Sequence, residues 1–225
     1  PIVALVSPVL LVVAQPDLGT SILIALGGIT VAWLAGVRVK FFAYASILFI
    51  SLMPIAISFL KPYQKARILT FLNPDRDPLG AGYQIIQSKI AIGSGGLFGK
   101  GFLNGSQSYL DYLPEKHTDF IFTLFSEEFG FLGSIFILLL YVLIIVRIIS
   151  IGNLTRSNFG KLYCYSFATA FFIYVTVNMG MVLGLLPIVG APLPIMSYGG
   201  SSMMAIMLGL GIVMSCKIYK DTPVN

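Results

Sequence analysis

The sequence predicts an all-α polytopic membrane protein with about six transmembrane helices and a long external loop that holds short or re-entrant helices. Of its 225 residues, 57% are hydrophobic and 10% are charged, and its mean hydropathy is +0.92. Soluble domains carry about 25% charged residues. The apolar residues form continuous runs without strict alternation, which favours helices over barrel strands. We therefore expect residues 1–225 to form one membrane domain.

Six apolar runs are the predicted spanning helices. They cover about 1–14, 18–37, 41–60, 120–146, 163–186 and 195–216. Most of them have the roughly 20 residues that a helix needs to cross a bilayer. The first run is short and begins at Pro1 without a charged leader, so we expect a fragment or a trimmed chain, not a signal peptide.

The positions of the basic residues predict the orientation. One set of short junctions holds seven bases: Arg38, Lys40, Arg147, Arg156, Lys161, Lys217 and Lys220. The opposite short junctions, 15–17 and 187–194, hold no base. Because Lys and Arg concentrate on the cytoplasmic side, the first set is predicted to be cytoplasmic. Residues 61–119 then form a large external loop, periplasmic in a Gram-negative cell. This bias accounts for the net charge of +5, and no nucleic-acid partner is expected.

The cysteines and the histidine argue against a zinc or disulfide site. Cys164 and Cys216 fall in or at the end of apolar runs and have no CxxC spacing, so we interpret them as small core residues. His117 is the only histidine, which makes zinc improbable.

The external loop contains two informative stretches. YQIIQSKIAI (83–92) has the periodicity of a short helix that lies at the interface, re-enters, or only packs on the bundle. GSGGLFGKG (93–101) fits no phosphate-binding motif, because Ser94, Phe98 and Gly101 stand where such motifs need other residues. Two interpretations stay open: a tight turn, or a turn that brings backbone N–H groups and Lys100 to an anionic headgroup.

The stretch LPEKHTDFIF (113–122) places ionisable groups at the mouth of a predicted span. If a helix runs from Pro114 into the span, Asp119, Thr123 and Glu127 share one face. Acids at membrane depth usually have a function, but acids also stabilise helix N-termini. Asp17 in QPDLGT has the same two interpretations, as an N-cap or as a functional acid. Together Asp119 and Asp17 could bind a divalent cation, or divide into a base and an orienting group.

The last polar feature is PIVGAPLPIMSYGGSS (187–202). Its prolines break helices, and its hydroxyls and glycines at the top of a span indicate either a cavity lining or a re-entrant turn that only packs. In the preceding span Gly180 and Gly184 form a GxxxG pattern, which predicts close helix packing.

These stretches, in this order, closely resemble the SEDS family (shape, elongation, division and sporulation). The resemblance rests on QPDLGTS, DPLGAGYQIIQSKIAIGSGGLFGKG, LPEKHTDFIF, NMGMVLGLLPIVGAPLPIMSYGGSS and LGLGIVMS, and it favours the elongation branch over the division branch. Because the family has about ten spans, the resemblance implies a C-terminal part that lacks roughly four helices. We expect such a part to be inactive by itself.

The resemblance implies a peptidoglycan glycosyltransferase that polymerises lipid II for cell elongation and rod shape. Lipid II and an undecaprenyl-diphosphate glycan would be its substrates, and a class B penicillin-binding transpeptidase in the elongation complex its partner. The family's essential acid maps onto Asp119, and the acid of its PDLGT motif onto Asp17. Family activity is supported by a divalent cation (Mg²⁺ or Mn²⁺), for which Asp119 and Asp17 are candidate ligands.

The chemistry assigns expected roles to the polar residues. Inverting transfer from a lipid diphosphate needs a base at the attacking hydroxyl and positive charge at the leaving group. Asp119 is the expected base. The remaining candidates for binding substrate or supporting the site are Asp17, His117, Glu115, Lys89, Lys100, Lys116, Ser197 and Ser201. Two other functions stay open: a transporter of lipid-linked precursors, and a scaffold that recruits a transpeptidase. A transporter predicts ionisable groups on both faces and inverted repeats, whereas here the acids gather on the external side.

Overall fold

A computed structural model of the chain describes residues 2–15, 17–59, 62–74, 77, 80–106 and 117–221, and these residues form helices and loops without strands. Eight helices lie within these ranges: α1 (Ile2–Ala14), α2 (Leu18–Leu34), α3 (Val39–Phe59), α4 (Pro62–Leu72), α5 (Ala81–Ser94), α6 (Ile121–Leu154), α7 (Asn158–Val182) and α8 (Gly200–Ile218). The all-α prediction is confirmed.

The helices α6, α7 and α8 are long and apolar enough to cross a membrane, whereas α2 and the stretch Val39–Met53 are shorter apolar helices. The chain is therefore a membrane protein, and the number of six spans stays a prediction. The predicted external helix at 83–92 lies inside α5. The predicted sixth run begins too early, because residues 195–199 belong to a loop and α8 begins at Gly200.

The bundle is built around α6 and α7. These two helices pack along each other, α8 packs on both, α2 packs on α7, and α5 lies against α6 and α7. One core cluster joins Phe120 and Tyr141 to Phe171, Met181 and Leu193. A second cluster contains Cys164, which is fully buried, and Cys216 packs against it. Both cysteines are free, as expected for small core residues.

The two ends of the bundle are formed by different junctions. At one end the backbone N–H of Arg156 donates to the carbonyl of Lys220 at 3.0 Å, so the α6–α7 junction meets the end of α8. At the other end, residues 117–120 meet the α7–α8 loop, which we define as residues 183–199. The structure therefore places Arg156 and Lys220 at one end of the bundle and the turn that carries Asp119 at the other.

The glycine-rich stretch makes the backbone hydrogen bonds that α6 lacks at a break in the helix. Gly130 has non-helical angles (φ 66°, ψ −162°). The carbonyls of Glu127 and Glu128, on one side of this break, accept hydrogen bonds from the N–H groups of Lys100 and Gly101, both at 3.0 Å. On the other side, the N–H groups of Phe131 and Leu132 donate to Gly96 and Leu97, at 2.9 and 3.1 Å. Residues 95–101 thus form a tight turn against α6, and these N–H groups bind the helix instead of an anion.

Two sequence predictions at helix ends are wrong. First, α6 begins at Ile121, so Asp119 lies in the turn before the helix and does not share a helical face with Thr123 and Glu127. The reason is that carbonyls of this turn bind another segment of the chain, as described below. Second, Gly184 has φ +68° and lies beyond the end of α7. The GxxxG pattern therefore ends this helix instead of lying within it, although the predicted close packing is present at Gly184, where an added Cβ would lie 3.0 Å from Ile85 of α5.

Candidate active site at the external turn

The turn His117–Phe120 is held by its backbone. The carbonyl of His117 accepts a hydrogen bond from the N–H of Tyr198 at 2.9 Å. The carbonyl of Thr118 accepts one from the hydroxyl of Ser197 at 2.7 Å. The carbonyl of Phe120 accepts from the first turn of α6. Since carbonyls along the turn are engaged, the half-buried Asp119 is carried on a fixed backbone.

The side chain of Asn178 adds to the hydrogen bonds that Ser197 and Tyr198 make with the turn, and we call this set of hydrogen bonds the clamp. The sequence did not indicate Asn178 as a site residue. Its amide is fully buried and donates to the carbonyl of Asp119 at 2.8 Å and to that of Ala191 at 2.7 Å. One side chain of α7 thus joins the turn to the α7–α8 loop. The sequence does contain one indication of its role, which is that Asn178 is an amide inside an otherwise apolar run. Polar groups in a span usually bind backbone or face a site.

Ser197 has a structural position within the loop. Its hydroxyl accepts a hydrogen bond from the N–H of Leu193 at 2.7 Å while it donates to Thr118, and the residue is buried. Tyr141 of α6 supports the same loop, because its hydroxyl donates to the carbonyl of Pro194 at 2.7 Å. Ser201 is exposed in the first turn of α8, so the two predicted serines do not act together.

The two predicted acids approach the α7–α8 loop from different elements. Oδ2 of Asp119 lies 3.6 Å from the position of a Cβ added at Gly190, which has φ +74°. From α2, a Cβ at Gly19 would overlap the carbonyl oxygen of Val189. Asp17 lies at the start of α2, where its carboxylate accepts hydrogen bonds from the N–H and hydroxyl of Thr20 at 3.1 and 2.6 Å. Asp17 is therefore an N-cap, and it lies close to the segment that contacts Asp119.

The lysines have different surroundings. Lys100 reaches inward to Glu127, with 2.7 Å between Nζ and Oε1, and its ammonium also donates to Ser106. Lys89 is exposed, and a Cβ at Gly184 would lie 2.7 Å from its Nζ. Lys89 therefore lies beside the start of the α7–α8 loop, whereas the charge of Lys100 is compensated by a buried carboxylate. Glu115 and Lys116 lie outside the described residues.

Two clefts flank the turn. One has a volume of about 610 Å³ and is lined by the exposed His117 together with Ile121, Tyr198 and Met203. The imidazole has no hydrogen-bond partner among the residues that the structure describes, and its place in the cleft lining leaves it free to contact a ligand there. The other cleft, of about 340 Å³, is mostly apolar and lies between α2, α7, α8 and the loop; Thr20, Tyr174 and Gly190 are among its lining residues.

The donor set suits a divalent cation only in part. Within the described ranges, no group of three or more His, Cys, Asp or Glu side chains could hold a metal ion. The carboxylate of Asp17 already accepts two hydrogen bonds. Mg²⁺ is nevertheless often held by one or two carboxylates together with substrate phosphates. The described residues therefore offer at most Asp119 and Asp17 as cation ligands, and further ligands would have to come from a bound molecule.

The fold and the clamped turn define a polytopic membrane protein with a polar site at one end of its bundle. Residues 1–222 match the sequence profile of the FtsW, RodA and SpoVE family, described as cell cycle protein. The chain therefore belongs to this family, which confirms the resemblance found in its motifs.

Several curated relatives are similar over most of the chain. The peptidoglycan glycosyltransferase MrdB of Escherichia coli (strain K12) is 50% identical over 220 residues, which are 97% of this chain and 60% of MrdB. The peptidoglycan glycosyltransferase RodA of Treponema pallidum is 48% identical over 156 residues, 69% of this chain and 36% of that protein. Stage V sporulation protein E of Bacillus subtilis is 38% identical over 213 residues, 95% of this chain and 58% of that protein. The chain thus spans about 60% of the length of MrdB.

Two solved structures are similar to the fold. One is described as "Structural coordination of polymerization and crosslinking by a peptidoglycan synthase complex". Its TM-score is 0.73 at 36% sequence identity, and the match covers 95% of this chain and 59% of the chain in that structure. The other is a mutant of the Thermus thermophilus rod shape determining protein RodA, with a TM-score of 0.61 at 27% identity, covering 95% of this chain and 54% of its own.

Proposed function

We propose that the protein is a peptidoglycan glycosyltransferase that polymerises lipid II at the outer face of the cytoplasmic membrane during cell elongation. The observation that carries this proposal is the clamped turn: Asp119 lies on a backbone fixed by Asn178, Ser197 and the N–H of Tyr198. A fixed carboxylate is what general base catalysis requires. Relatives named peptidoglycan glycosyltransferase support the reaction class.

In the proposed mechanism, the 4-hydroxyl of lipid II attacks the anomeric carbon of the glycan on the lipid diphosphate. Asp119 accepts the hydroxyl proton as the new C–O bond forms. The bond between the anomeric carbon and the diphosphate oxygen breaks, and its electron pair leaves with the lipid diphosphate. A single displacement of this kind inverts an α-linked donor to a β-linked product.

The surroundings of Asp119 suit a lipid-linked substrate. The apolar cleft of about 340 Å³ includes Gly190 in its lining, and Gly190 is also the neighbour of the Asp119 carboxylate. An isoprenoid chain could therefore lie beside the reacting end. A divalent cation, Mg²⁺ or Mn²⁺, would neutralise the diphosphate, and Asp119 and Asp17 are the residues that would hold it. Lys89, which lies beside the start of the α7–α8 loop, would also help to neutralise the diphosphate.

The proposed partner is a class B penicillin-binding transpeptidase of the elongation complex. The support comes from the matched structure, which is described as a peptidoglycan synthase complex that coordinates polymerization and crosslinking. The proposed location is the cytoplasmic membrane, with residues 61–119 on the external, periplasmic side. The separation of basic junctions from the acid-bearing turn supports this orientation.

The test uses the complete gene product, purified with its transpeptidase and supplied with labelled lipid II and Mg²⁺. We expect polymer from the wild type and none from Asp119→Ala. Equal polymer from both proteins would contradict the role of Asp119. If neither protein made polymer and the wild type instead moved lipid II across vesicles, the transporter function would replace the proposed one. If neither did either, a scaffold that only recruits the transpeptidase would be favoured.

A further inference from the structure

The glycine-rich turn carries an apolar surface that the proposed reaction does not use. We define the apolar tip as Leu97, Phe98, Phe102 and Leu103. Their exposed fractions run from 63% to 80%. Water-facing loops seldom expose large apolar side chains in one group, and such a group usually marks a contact with a membrane or a protein.

The hydrogen bonds to α6 fix the level of the tip along the bundle. Leu97 accepts from the N–H of Leu132, and the ring of Phe102 lies 6.4 Å from that of Phe129. The tip is therefore level with residues 129–132 of α6. Phe129 and Phe131 of this helix are exposed at the same level.

The same helix gives the depth of that level in the bilayer. No charged residue occurs from Phe129 to Val146, and this stretch is bounded by Glu128 and the exposed Arg147. Beyond the break at Gly130, the helical residues 131–146 span about 24 Å at 1.5 Å per residue, which accounts for most of the hydrocarbon thickness of about 30 Å. The outer edge of the hydrocarbon therefore falls near Phe129, at the level of the tip.

The one charged side chain of the glycine-rich turn is directed toward α6 and not toward the outward side of the tip. Lys100 is the only charged residue from Gly93 to Ser106, and its ammonium pairs with the buried Glu127. The outward side of the tip then presents aliphatic and phenylalanine side chains without a formal charge. Such a surface suits acyl chains near the headgroups, where interfacial segments place their apolar faces.

We propose that the apolar tip is inserted into the outer leaflet, at the boundary between acyl chains and headgroups. The occupant of this surface is lipid, and the glycine-rich turn is a membrane anchor for the external loop. The anchor does not depend on the proposed glycosyltransferase activity, because neither the hydrogen bonds nor the exposed phenylalanines involve Asp119.

The experiment places one tryptophan at the tip. Trp33 is the only tryptophan of residues 1–225, so the background is the complete gene product with Trp33→Phe and with any tryptophan outside these residues also replaced by phenylalanine, reconstituted in phosphatidylcholine vesicles. Phe98→Trp reports on the tip, and Phe136→Trp, an exposed position further along α6, is the matched control for deep hydrocarbon. Thermal unfolding of each variant checks that it folds like the background protein.

The tip probe should show blue-shifted emission and strong quenching by lipids brominated near the headgroup end of their chains. Bromines near the chain terminus should quench it less, and the order should reverse for Phe136→Trp. Strong quenching by aqueous iodide with no effect of brominated lipid would place the tip in water and overturn the proposal. Protection from both quenchers would show that protein covers the tip, which would overturn it equally.

Discussion

At the residue scale, Asn178 holds the site through backbone and not through the carboxylate. Its two hydrogen bonds reach the carbonyls of Asp119 and Ala191. Loss of this amide leaves both acceptors without that donor in a buried position. An unmade buried hydrogen bond of this kind costs about 1–3 kcal/mol.

We therefore predict that Asn178→Ala lowers the free energy of unfolding by about 1–3 kcal/mol. It should also reduce kcat more than it changes KM, because the turn carrying Asp119 loses its position rather than its substrate contacts. Asn158→Ala, at an exposed asparagine at the opposite end of α7, is the matched control and should change neither quantity. Polymerisation kinetics and thermal unfolding measure both. An Asn178→Ala protein with wild-type kcat would show that the clamp does not position Asp119.

The same residues show why sequence predicts only part of the site. Asp119 and His117 could be selected because ionisable groups are rare in this chain. The clamp could not be predicted, because its hydrogen bonds join residues far apart in sequence: 59 positions separate Asp119 from Asn178, and 79 separate Thr118 from Ser197. No local pattern specifies such a pairing, so the sequence could not decide whether Ser197 binds substrate or supports the site.

At the element scale, the glycines of the turn are required by a close approach of two backbones. A Cβ at Gly99 would overlap the carbonyl of Glu128, whereas a Cβ at Gly96 would have no neighbour within 4 Å. Both residues have positive φ, +81° and +55°. Substitution at either position therefore costs similar backbone strain, and only Gly99 adds a collision with α6.

We predict that Gly99→Ala destabilises the protein more than Gly96→Ala. The shared strain is about 1–2 kcal/mol for each, and the collision adds to it at Gly99 alone. Hydrogen exchange of the Phe131 and Leu132 amides, which donate to the turn, should accelerate in Gly99→Ala. Identical unfolding temperatures and exchange rates in the two variants would show that the close approach is unimportant.

The Lys100–Glu127 ion pair gives a second prediction for this element. The carboxylate is buried, whereas 28% of the lysine side chain is exposed. Removing one partner of a buried pair costs about 3–5 kcal/mol of stability. Because solvent screens the partly exposed lysine, we expect Lys100→Met to lower the free energy of unfolding by about 2–3 kcal/mol. The double variant Lys100→Met with Glu127→Gln should regain part of this loss.

A double-mutant cycle on thermal or denaturant unfolding tests this coupling. Additive effects of the two substitutions would contradict it. Glu128→Gln, at the adjacent buried acid, is the control and should not couple to Lys100→Met.

Helix positions were predicted well at this scale, because each apolar run satisfies its own backbone hydrogen bonds and needs no distant partner. The exceptions are the helix ends. At Gly184 and before Ile121, tertiary contacts replace helical hydrogen bonds, and hydropathy does not report on them. The sequence did not predict the break at Gly130 for the same reason, since the carbonyls before it and the N–H groups after it bind the glycine-rich turn.

At the scale of the whole molecule, the bundle has a basic end and an acid-bearing end. Tyr198 lies beside the clamped turn with 81% of its surface exposed, and Tyr219 follows α8 at the other end with 63% exposed. If the basic junctions are cytoplasmic, these two tyrosines face opposite sides of the membrane.

We predict that a membrane-impermeant thiol reagent labels Tyr198→Cys from outside intact cells, and labels Tyr219→Cys only after the cells are opened. Both variants are made in a background with Cys164→Ser, Cys216→Ser and any cysteine outside residues 1–225 also replaced by serine, which by itself should remain unlabelled. The reverse labelling pattern would invert the orientation and remove the proposed external reaction.

The central claim is that Asp119 accepts a proton in glycan polymerisation, and one comparison of rates tests it most directly. Asp119→Asn keeps the size of the side chain but removes the base, whereas Asp17→Asn keeps a residue that can still cap α2. With the complete gene product, its transpeptidase, lipid II and Mg²⁺, we predict that Asp119→Asn lowers the polymerisation rate about 10²- to 10⁴-fold. Asp17→Asn, which removes a proposed cation ligand but not the base, should lower it less. A wild-type rate for folded Asp119→Asn would contradict the account.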